Sequence, residues 1–283
     1  MVEQDFYSKT RPIIEVFNSI EGEGCTAGQP TIFVRTTGCN LRCCFANSIC
    51  DTAYSSFNPE KGKYSLQNVI DMLERYPFSD LSITGGEPFL HVDLVRDLVN
   101  LNREIFERTL IVETNGSILV EDLNLLGNID IVNISPKLSS SDPTPEKLDE
   151  LGIEQSSVYK THSKNRFNID ALYNLIKYSQ DYRLKYVVSC KDDFEEIEGQ
   201  IQHLIVYCAQ RNSNGMPLCN NKGRVIWKDA RFIKPWNICL MPSGSTNEEL
   251  NQNRKMVAEY CAEHGYTYTD RLQIVVWGTE KER

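Results

Sequence analysis

From Thr31 onward the chain alternates short β-branched runs with amphipathic stretches, and that alternation predicts its architecture. Thr31-Ile-Phe-Val-Arg-Thr36 is dense in β-branched and aromatic residues and predicts a strand. Ser65 can cap a helix whose apolar residues Leu66, Val69, Ile70 and Leu73 share one face, and Pro77 closes it. The strand Leu81-Ser-Ile-Thr84 follows, then a helix carrying Leu94, Val95, Leu98 and Leu101, then the strand Thr109–Glu113. After Leu123 to Leu126 comes another apolar strand, Ile129–Ile134. Leu184–Val188, Ile238–Met241 and Ile274–Trp277 are further strand candidates. Between the last two, Thr246 and Glu249 form a capping box for a helix that Gly265 can stop. Strands that alternate with helices predict an α/β fold, a parallel sheet with crossover helices, open or curled into a barrel. No linker, charge run or internal repeat divides the 283 residues. One domain, 1–283, is expected, with elaborations at about 138–181 and 191–234.

Composition narrows the function. With 41% hydrophobic and 24% charged residues the bulk of the chain is not disordered, and a net charge of −9 opposes a phosphate backbone. No nucleic-acid partner is expected. No apolar run reaches the roughly 18–20 residues that span a bilayer, and the opening MVEQDFYSKTRPI lacks a signal-peptide pattern. The expected location is the cytoplasm, without a membrane partner. There the ten cysteines favour metal or cluster ligation over disulfides. Four of them, Cys39, Cys43, Cys44 and Cys50, crowd into twelve residues directly after the strand that ends at Thr36.

Three thiolates on one loop can hold three irons of a 4Fe-4S cluster and leave the fourth iron open for chemistry. A zinc knuckle would require a second tight Cys pair or a His partner at suitable spacing, and neither is present. The loop follows a predicted strand, where a barrel places its active-site loops. One strand later, Thr84-Gly85-Gly86-Glu87-Pro88 supplies glycines that let backbone approach a ligand closely. Together the two motifs resemble the radical S-adenosylmethionine superfamily. That resemblance implies a modified partial TIM-type (β/α) barrel, with the Gly-Gly-Glu-Pro motif at the methionine amino group.

A narrower resemblance is carried by Phe17-Asn-Ser-Ile20-Glu21-Gly22-Glu23-Gly24, Gly28-Gln-Pro30, Phe33-Val-Arg35 and Cys50-Asp51-Thr52, and then by Val112-Glu-Thr-Asn-Gly116, Ser135-Pro136-Lys137, Lys185-Tyr-Val-Val188, Leu240-Met-Pro242 and Arg271-Leu-Gln273. In this order they resemble the 7-carboxy-7-deazaguanine synthases. The resemblance implies a carbon–nitrogen lyase, usually homodimeric. It converts 6-carboxy-tetrahydropterin to 7-carboxy-7-deazaguanine with loss of ammonia, on the way to queuosine and related deazapurines. It implies a 4Fe-4S cluster, S-adenosylmethionine, Mg²⁺ and a flavodoxin- or ferredoxin-type reductant. A 5′-deoxyadenosyl radical abstracts hydrogen from the pterin inside the enclosing barrel, so no side chain is assigned a catalytic role. Carried over residue by residue, Ile20, Glu21, Gly22, Arg35 and Thr84 fall at substrate contacts. Thr52 falls at the Mg²⁺ ligand, and Ile49, Cys50, Asp51, Gly86, Ser135, Pro136 and Lys137 fall at S-adenosylmethionine contacts.

Two departures stand out. The family spacing is Cys-x3-Cys-x2-Cys, whereas the residue three beyond Cys43 is Ala46. Cys50-Asp51-Thr52 matches the family's last cysteine, so Cys39, Cys43 and Cys50 are the expected ligands, with Cys44 the rival of Cys43. The usual Gln of the Gln-Gly-Glu-Gly motif is Glu21 here. The altered loop leaves open a non-catalytic Fe–S protein used in binding or redox sensing. A radical enzyme or activase with another substrate is the further alternative. Cys25, Cys190, Cys208, Cys219, Cys239 and Cys261 are dispersed and are expected to be buried thiols, and the four histidines are assigned no chemistry.

Overall fold

The computed structural model describes residues 2–45, 49–154, 160–212, 218–219, 225–226, 233–278 and 280. In chain order the strands are β1 (Thr10–Ile20), β2 (Pro30–Thr36), β3 (Tyr64–Ser65), β4 (Asp80–Gly85), β5 (Leu110–Thr114), β6 (Ile131–Ile134), β7 (Asp181–Val188), β8 (Leu218–Cys219), β9 (Val225–Ile226), β10 (Ile238–Pro242) and β11 (Thr267–Tyr268). β8 and β9 pair only with each other, and the other nine form one sheet ordered β11-β10-β7-β6-β5-β4-β2-β1-β3. Every neighbouring pair from β2 to β11 is parallel, while β1 joins β2 antiparallel. Helices Leu66–Arg75, Val92–Leu101, Leu123–Gly127, Ile169–Tyr178, Asp192–Asn212 and Asn247–His264 stand between successive parallel strands. The architecture is the expected α/β one, a partial barrel whose sheet does not close.

Successive side chains of a strand point to opposite faces, and this period of two divides the sheet cleanly. Ile32 and Val34 of β2, Leu81 and Ile83 of β4, Leu110 and Val112 of β5, Leu184 and Tyr186 of β7, and Ile238 and Leu240 of β10 belong to one apolar core, together with Leu66, Val69, Leu94, Leu98, Leu172 and Ile201 from the helices. The residues between them, Phe33 and Arg35, Thr84, Glu113, Lys185 and Met241, face the other way and line a cavity. Core and site are thus two faces of the same strands.

Local signals behave largely as expected. The Ser65 hydroxyl accepts from the Asn68 N–H at 3.4 Å, and Asn68 Oδ1 accepts from the Ser65 N–H at 2.9 Å, a reciprocal cap. At the later helix Thr246 Oγ1 accepts from the Glu249 N–H at 3.2 Å, but Glu249 Oε2 takes the N–H of Ser245 at 2.6 Å, so the box closes one residue early. Gly265, with φ of +72°, ends that helix.

The expected strand Ile274–Trp277 is a helix, Leu272–Trp277. Its β-branched run favours a strand locally, but the Leu272 N–H donates to the Gly22 carbonyl and the Ile274 N–H folds back to Arg271 O, which fixes a first turn. Only Ile274 of the run is buried, while Val275 and Val276 are 47% and 53% exposed. One buried position is too few for the alternation a sheet requires. Two helices inside the expected elaborations, Ile169–Tyr178 and Asp192–Asn212, are the crossovers into β7 and β10. Residues 155–159 and most of 213–232 of those segments lie outside the described residues. Cys208, Cys239 and Cys261 are buried as expected, whereas Cys25 and Cys190 are exposed; the side chain of Cys219 lies outside the described residues.

Leu81→Ala, at a fully buried β4 position, is expected to lower unfolding stability by about 2–5 kcal/mol. Val275→Ala should change it by about 0.5 kcal/mol or less. Urea unfolding of both variants checks the two faces, and a large loss in Val275→Ala would overturn the exposed placement of that helix.

Candidate active site

A cavity of about 310 Å³ opens where the parallel strands end. The loop after β2 brings Cys39, Cys43, Ile49, Cys50, Asp51 and Thr52 to it; the turn after β4 brings Gly86, and the segment after β6 brings Ser135 and Lys137. Arg35 and Thr84 line it from the strands, and Ile20, Glu21 and Gly22 from the end of β1. Of the residues expected at the site, Cys44 and Pro136 do not line it.

The backbone explains why Cys43 and Cys44 differ. The Cys50 N–H donates to the Cys43 carbonyl at 3.0 Å, and Cys44 forms a β-bridge with Ile49. In this extended backbone adjacent side chains face opposite ways. Cys44 is buried away from the cavity: its N–H donates to Ser141 O at 2.9 Å, and its carbonyl accepts from Lys147 Nζ at 3.0 Å. The preceding Arg42 N–H donates to His162 Nδ1 at 3.0 Å. His162 is fully buried, and burial together with the positive charges of Lys137, Arg166, Lys147 and Arg42 lowers its pKa to about 4. At neutral pH it is therefore an uncharged acceptor, a structural role that no spacing in the sequence signals.

Burial raises the Cys39 thiol to about 11 and shifts Cys43 and Cys50 upward as well. They hold their protons until a metal displaces them. Among the described residues no three His, Cys, Asp or Glu side chains close on a single ion, so the thiols stand as separate donors around the cavity. Thr52 precedes the helix Ala53–Ser56 without capping it, and its hydroxyl lies 3.3 Å from Cys50 Sγ.

The glycine pair is required by packing. A Cβ on Gly86 would lie 2.0 Å from the Gly38 carbonyl, and Gly85 adopts φ of +143° against Thr36. Glu87 does not face the cavity. Its buried carboxylate accepts from Phe89 N at 3.0 Å, Thr114 Oγ1 at 2.8 Å and Asn115 N at 2.7 Å, tying the β4 turn to the end of β5.

A set of buried charges lines the same cavity and reaches the cysteine loop at Asp51. β1 runs antiparallel to β2, so its last residue, Ile20, pairs with Pro30 at the far end from the cysteine loop. From there Glu21 to Gly24 cross toward β7 and β11, where the Gly24 N–H donates to Thr269 Oγ1 at 2.7 Å. Lys185 Nζ lies 2.8 Å from both Glu23 Oε2 and Glu113 Oε2. Arg271 Nε pairs with Glu23 Oε1 at 3.1 Å, another of its nitrogens pairs with Asp51, and Gln273 Nε2 donates to Glu23 Oε1 at 2.9 Å. Burial alone would raise the Glu23 carboxyl, but Lys185 and Arg271 outweigh it and hold the group well below 4.5. Arg35 Nε is held by Glu15 Oε2 at 2.5 Å, and Tyr54 OH donates to the same oxygen at 3.0 Å. Glu113, Lys185, Arg271 and Gln273 stood in the sequence as landmarks without roles. The bonds that join them to Glu23 and to one another span 72 to 250 residues, and no local pattern marks such a pairing.

A family model described as a 4Fe-4S single cluster domain matches residues 20–158. A 7-carboxy-7-deazaguanine synthase from Halobacterium salinarum is 35% identical over 272 residues, covering 96% of this chain and 92% of that protein. One from Rhodopirellula baltica is 28% identical, with 95% and 87% covered. The crystal structure of QueE from Escherichia coli matches with a TM-score of 0.56 at 20% identity over 93% of this chain and 94% of that one, a likeness of fold.

Lys185→Met is expected to destabilise the protein by about 3–5 kcal/mol at pH 7, because it takes the ammonium partner from the buried Glu113 carboxylate and leaves Glu23 with Arg271 as its one remaining cation. Glu23 is depressed in the folded state, so its contribution is present above pH 4.5 and is lost as pH falls below that. The deficit of the variant should therefore shrink in acid, as followed by denaturant unfolding at pH 7 and pH 4. An equal deficit at both would sink the pairing argument.

Proposed function

Because the chain belongs to the 7-carboxy-7-deazaguanine synthase family, we propose that it converts 6-carboxy-5,6,7,8-tetrahydropterin to 7-carboxy-7-deazaguanine with release of ammonia, in queuosine and 7-deazapurine biosynthesis. The observation that carries the proposal is one cavity lined both by three thiols and by a set of paired buried charges.

The donor set suits a 4Fe-4S cluster with one open iron. Cys39, Cys43 and Cys50 supply three thiols to one cavity, and the burial of Cys44 away from it supports Cys43 as the middle ligand. Beside them Gly86 allows close backbone approach, and Lys137 Nζ lies 2.7 Å from Ser135 Oγ, which suits S-adenosylmethionine together with Ile49 and Asp51. When bound, the cluster and S-adenosylmethionine supply the radical that starts the rearrangement.

The protein's own residues bind and enclose the substrate. Glu15 fixes Arg35 at Nε and leaves the rest of the guanidinium fork for the substrate carboxylate or the polar edge of the pterin, beside Ile20, Glu21, Gly22 and Thr84. The Thr52 hydroxyl, free of a capping role, is a hard oxygen suited to Mg²⁺. Pro136, set back from the cavity, is left with the role of orienting Ser135 and Lys137. The same reading includes a homodimer, a flavodoxin- or ferredoxin-type reductant, a cytoplasmic location and one radical S-adenosylmethionine domain over 1–283. These rest on the resemblance carried by the sequence motifs. No helix among the described residues is long and apolar enough to cross a membrane.

The test is anaerobic reconstitution followed by incubation with S-adenosylmethionine, dithionite, Mg²⁺ and 6-carboxy-tetrahydropterin, with products read by mass spectrometry. 7-Carboxy-7-deazaguanine is expected. 5′-Deoxyadenosine alone would keep the radical chemistry and discard the substrate, and neither product from a loaded cluster would favour a non-catalytic protein. In the same assay Cys43→Ala should lose the cluster absorbance and 5′-deoxyadenosine formation, whereas Cys44→Ala should keep both.

A further inference from the structure

We propose that Glu21 is a specificity-determining residue that meets the substrate as an uncharged carboxylic acid, donating a hydrogen bond from Oε2 to an acceptor atom of the pterin ring. The proposal deepens the function above and rests on it.

The geometry separates the two carboxyl oxygens. Oε1 accepts from the Gly22 N–H at 3.0 Å and the Glu23 N–H at 3.3 Å, which commits it as an acceptor. Oε2 is buried and has no hydrogen-bond partner among the described residues. The residue is only 4% exposed and lines the cavity. A buried polar oxygen without a partner is costly, so the cavity's occupant is the natural source of one. The backbone holds the residue in place: the Glu21 N–H donates to Gln29 O and the Glu21 carbonyl accepts from the Gly28 N–H, both at 2.7 Å.

The surroundings decide its charge. Facing Glu21 are Glu113 from β5, Lys185 from β7 and Glu23 on its own segment. Both Glu113 and Glu23 are held as partners of the Lys185 ammonium. Arg271 is committed to Glu23, Asp51 and the Gly244 carbonyl. Among the described residues, Lys185 is the cation that acts on Glu21 and it is already shared by two carboxylates, which themselves oppose a third charge. Burial first, and then Glu113, push its pKa up to about 8, with Lys185 opposing in part. Since Oε1 is engaged by two N–H donors, the proton belongs on Oε2. That atom then donates toward the cavity and selects a carbonyl oxygen or an unprotonated ring nitrogen over an N–H.

The test uses 6-carboxypterin, a fluorescent analogue of the substrate, titrated against the reconstituted protein from pH 6 to 9.5. Each reading is taken as the difference between wild type and Glu21→Gln, so that titration of the ligand cancels. Wild-type affinity is expected to fall by about tenfold per pH unit above about 8 relative to the variant, whose amide N–H donates at every pH. Glu21→Ala should bind about tenfold more weakly than wild type at pH 7. A second readout needs no ligand. A carboxyl raised from 4.5 to about 8 binds its proton in the folded state but not in the unfolded one, so wild type loses stability as pH climbs through that window. The melting temperature of Glu21→Gln relative to wild type should therefore rise between pH 5 and pH 8. Wild-type binding that strengthens with pH relative to Glu21→Gln would overturn the proposal in favour of a carboxylate accepting from an N–H. Equal pH dependence in both proteins, or a melting difference that does not change with pH, overturns it while leaving the family reading intact. No binding by either protein at any pH overturns it together with the reading it rests on.

Discussion

A parallel strand that helps to build a cavity must serve an apolar layer and a polar one within a few residues, and the pleat is what makes this feasible. On β7, Leu184 and Tyr186 are packed against the helices, while Lys185 between them is buried facing the cavity. An ammonium group so placed requires anionic partners. Glu113 comes from β5, but no other strand supplies the second carboxylate. Glu23 does, and it reaches Lys185 only because the chain leaving β1 crosses toward β7 and β11. The path of Glu21 to Gly24, held by main-chain bonds to Gln29, Gly28 and Leu272, thus meets the demand for charge neutrality inside the curved sheet. That path puts Gly22 where a Cβ would run into Gln273.

Such a network contributes arrangement more than net stability, because desolvating two charges costs about as much as their attraction returns. Its value lies in fixed positions. The charged groups of the cavity wall, Glu23, Glu113, Lys185 and Arg271, already hold one another in place, so a ligand meets a preset arrangement. The cysteine side is preset by other means: main-chain bonds from Arg42, Cys44 and Cys50, and glycines whose missing side chains let the β2 and β4 loops touch.

How much of this was legible follows from the range of each signal. β2, β4 and β5 could be read because each packs a short apolar run into a two-residue period, and the caps at Ser65 and Gly265 act within one turn. Ile274–Trp277 misled for the same reason: its β-branched residues give a purely local preference, and the bond from Leu272 to Gly22 overrides it. β1 holds an apolar run too, Ile13, Ile14, Val16 and Phe17 around Glu15, but it is absent from the strands expected from the sequence and became evident through its pairing with β2. At the site, the motif residues near Cys39 and Gly86 could be placed because motif and geometry coincide in sequence. The ion pairs of Lys185 and Arg271, and the imidazole of His162, join distant segments, and composition carries no trace of such partners.

The link between Arg42 and His162 also has a consequence in time. The two residues are separated by 120 positions, which ribosomes traverse in on the order of ten seconds. For most of that interval the cysteines of the loop have been made, but the Ser141 carbonyl, the Lys147 ammonium and the buried imidazole that shape their backbone have not. A nascent chain therefore carries four closely spaced thiols before it has the means to hold them apart from one another. The order of translation leaves the cysteine loop waiting for its scaffold.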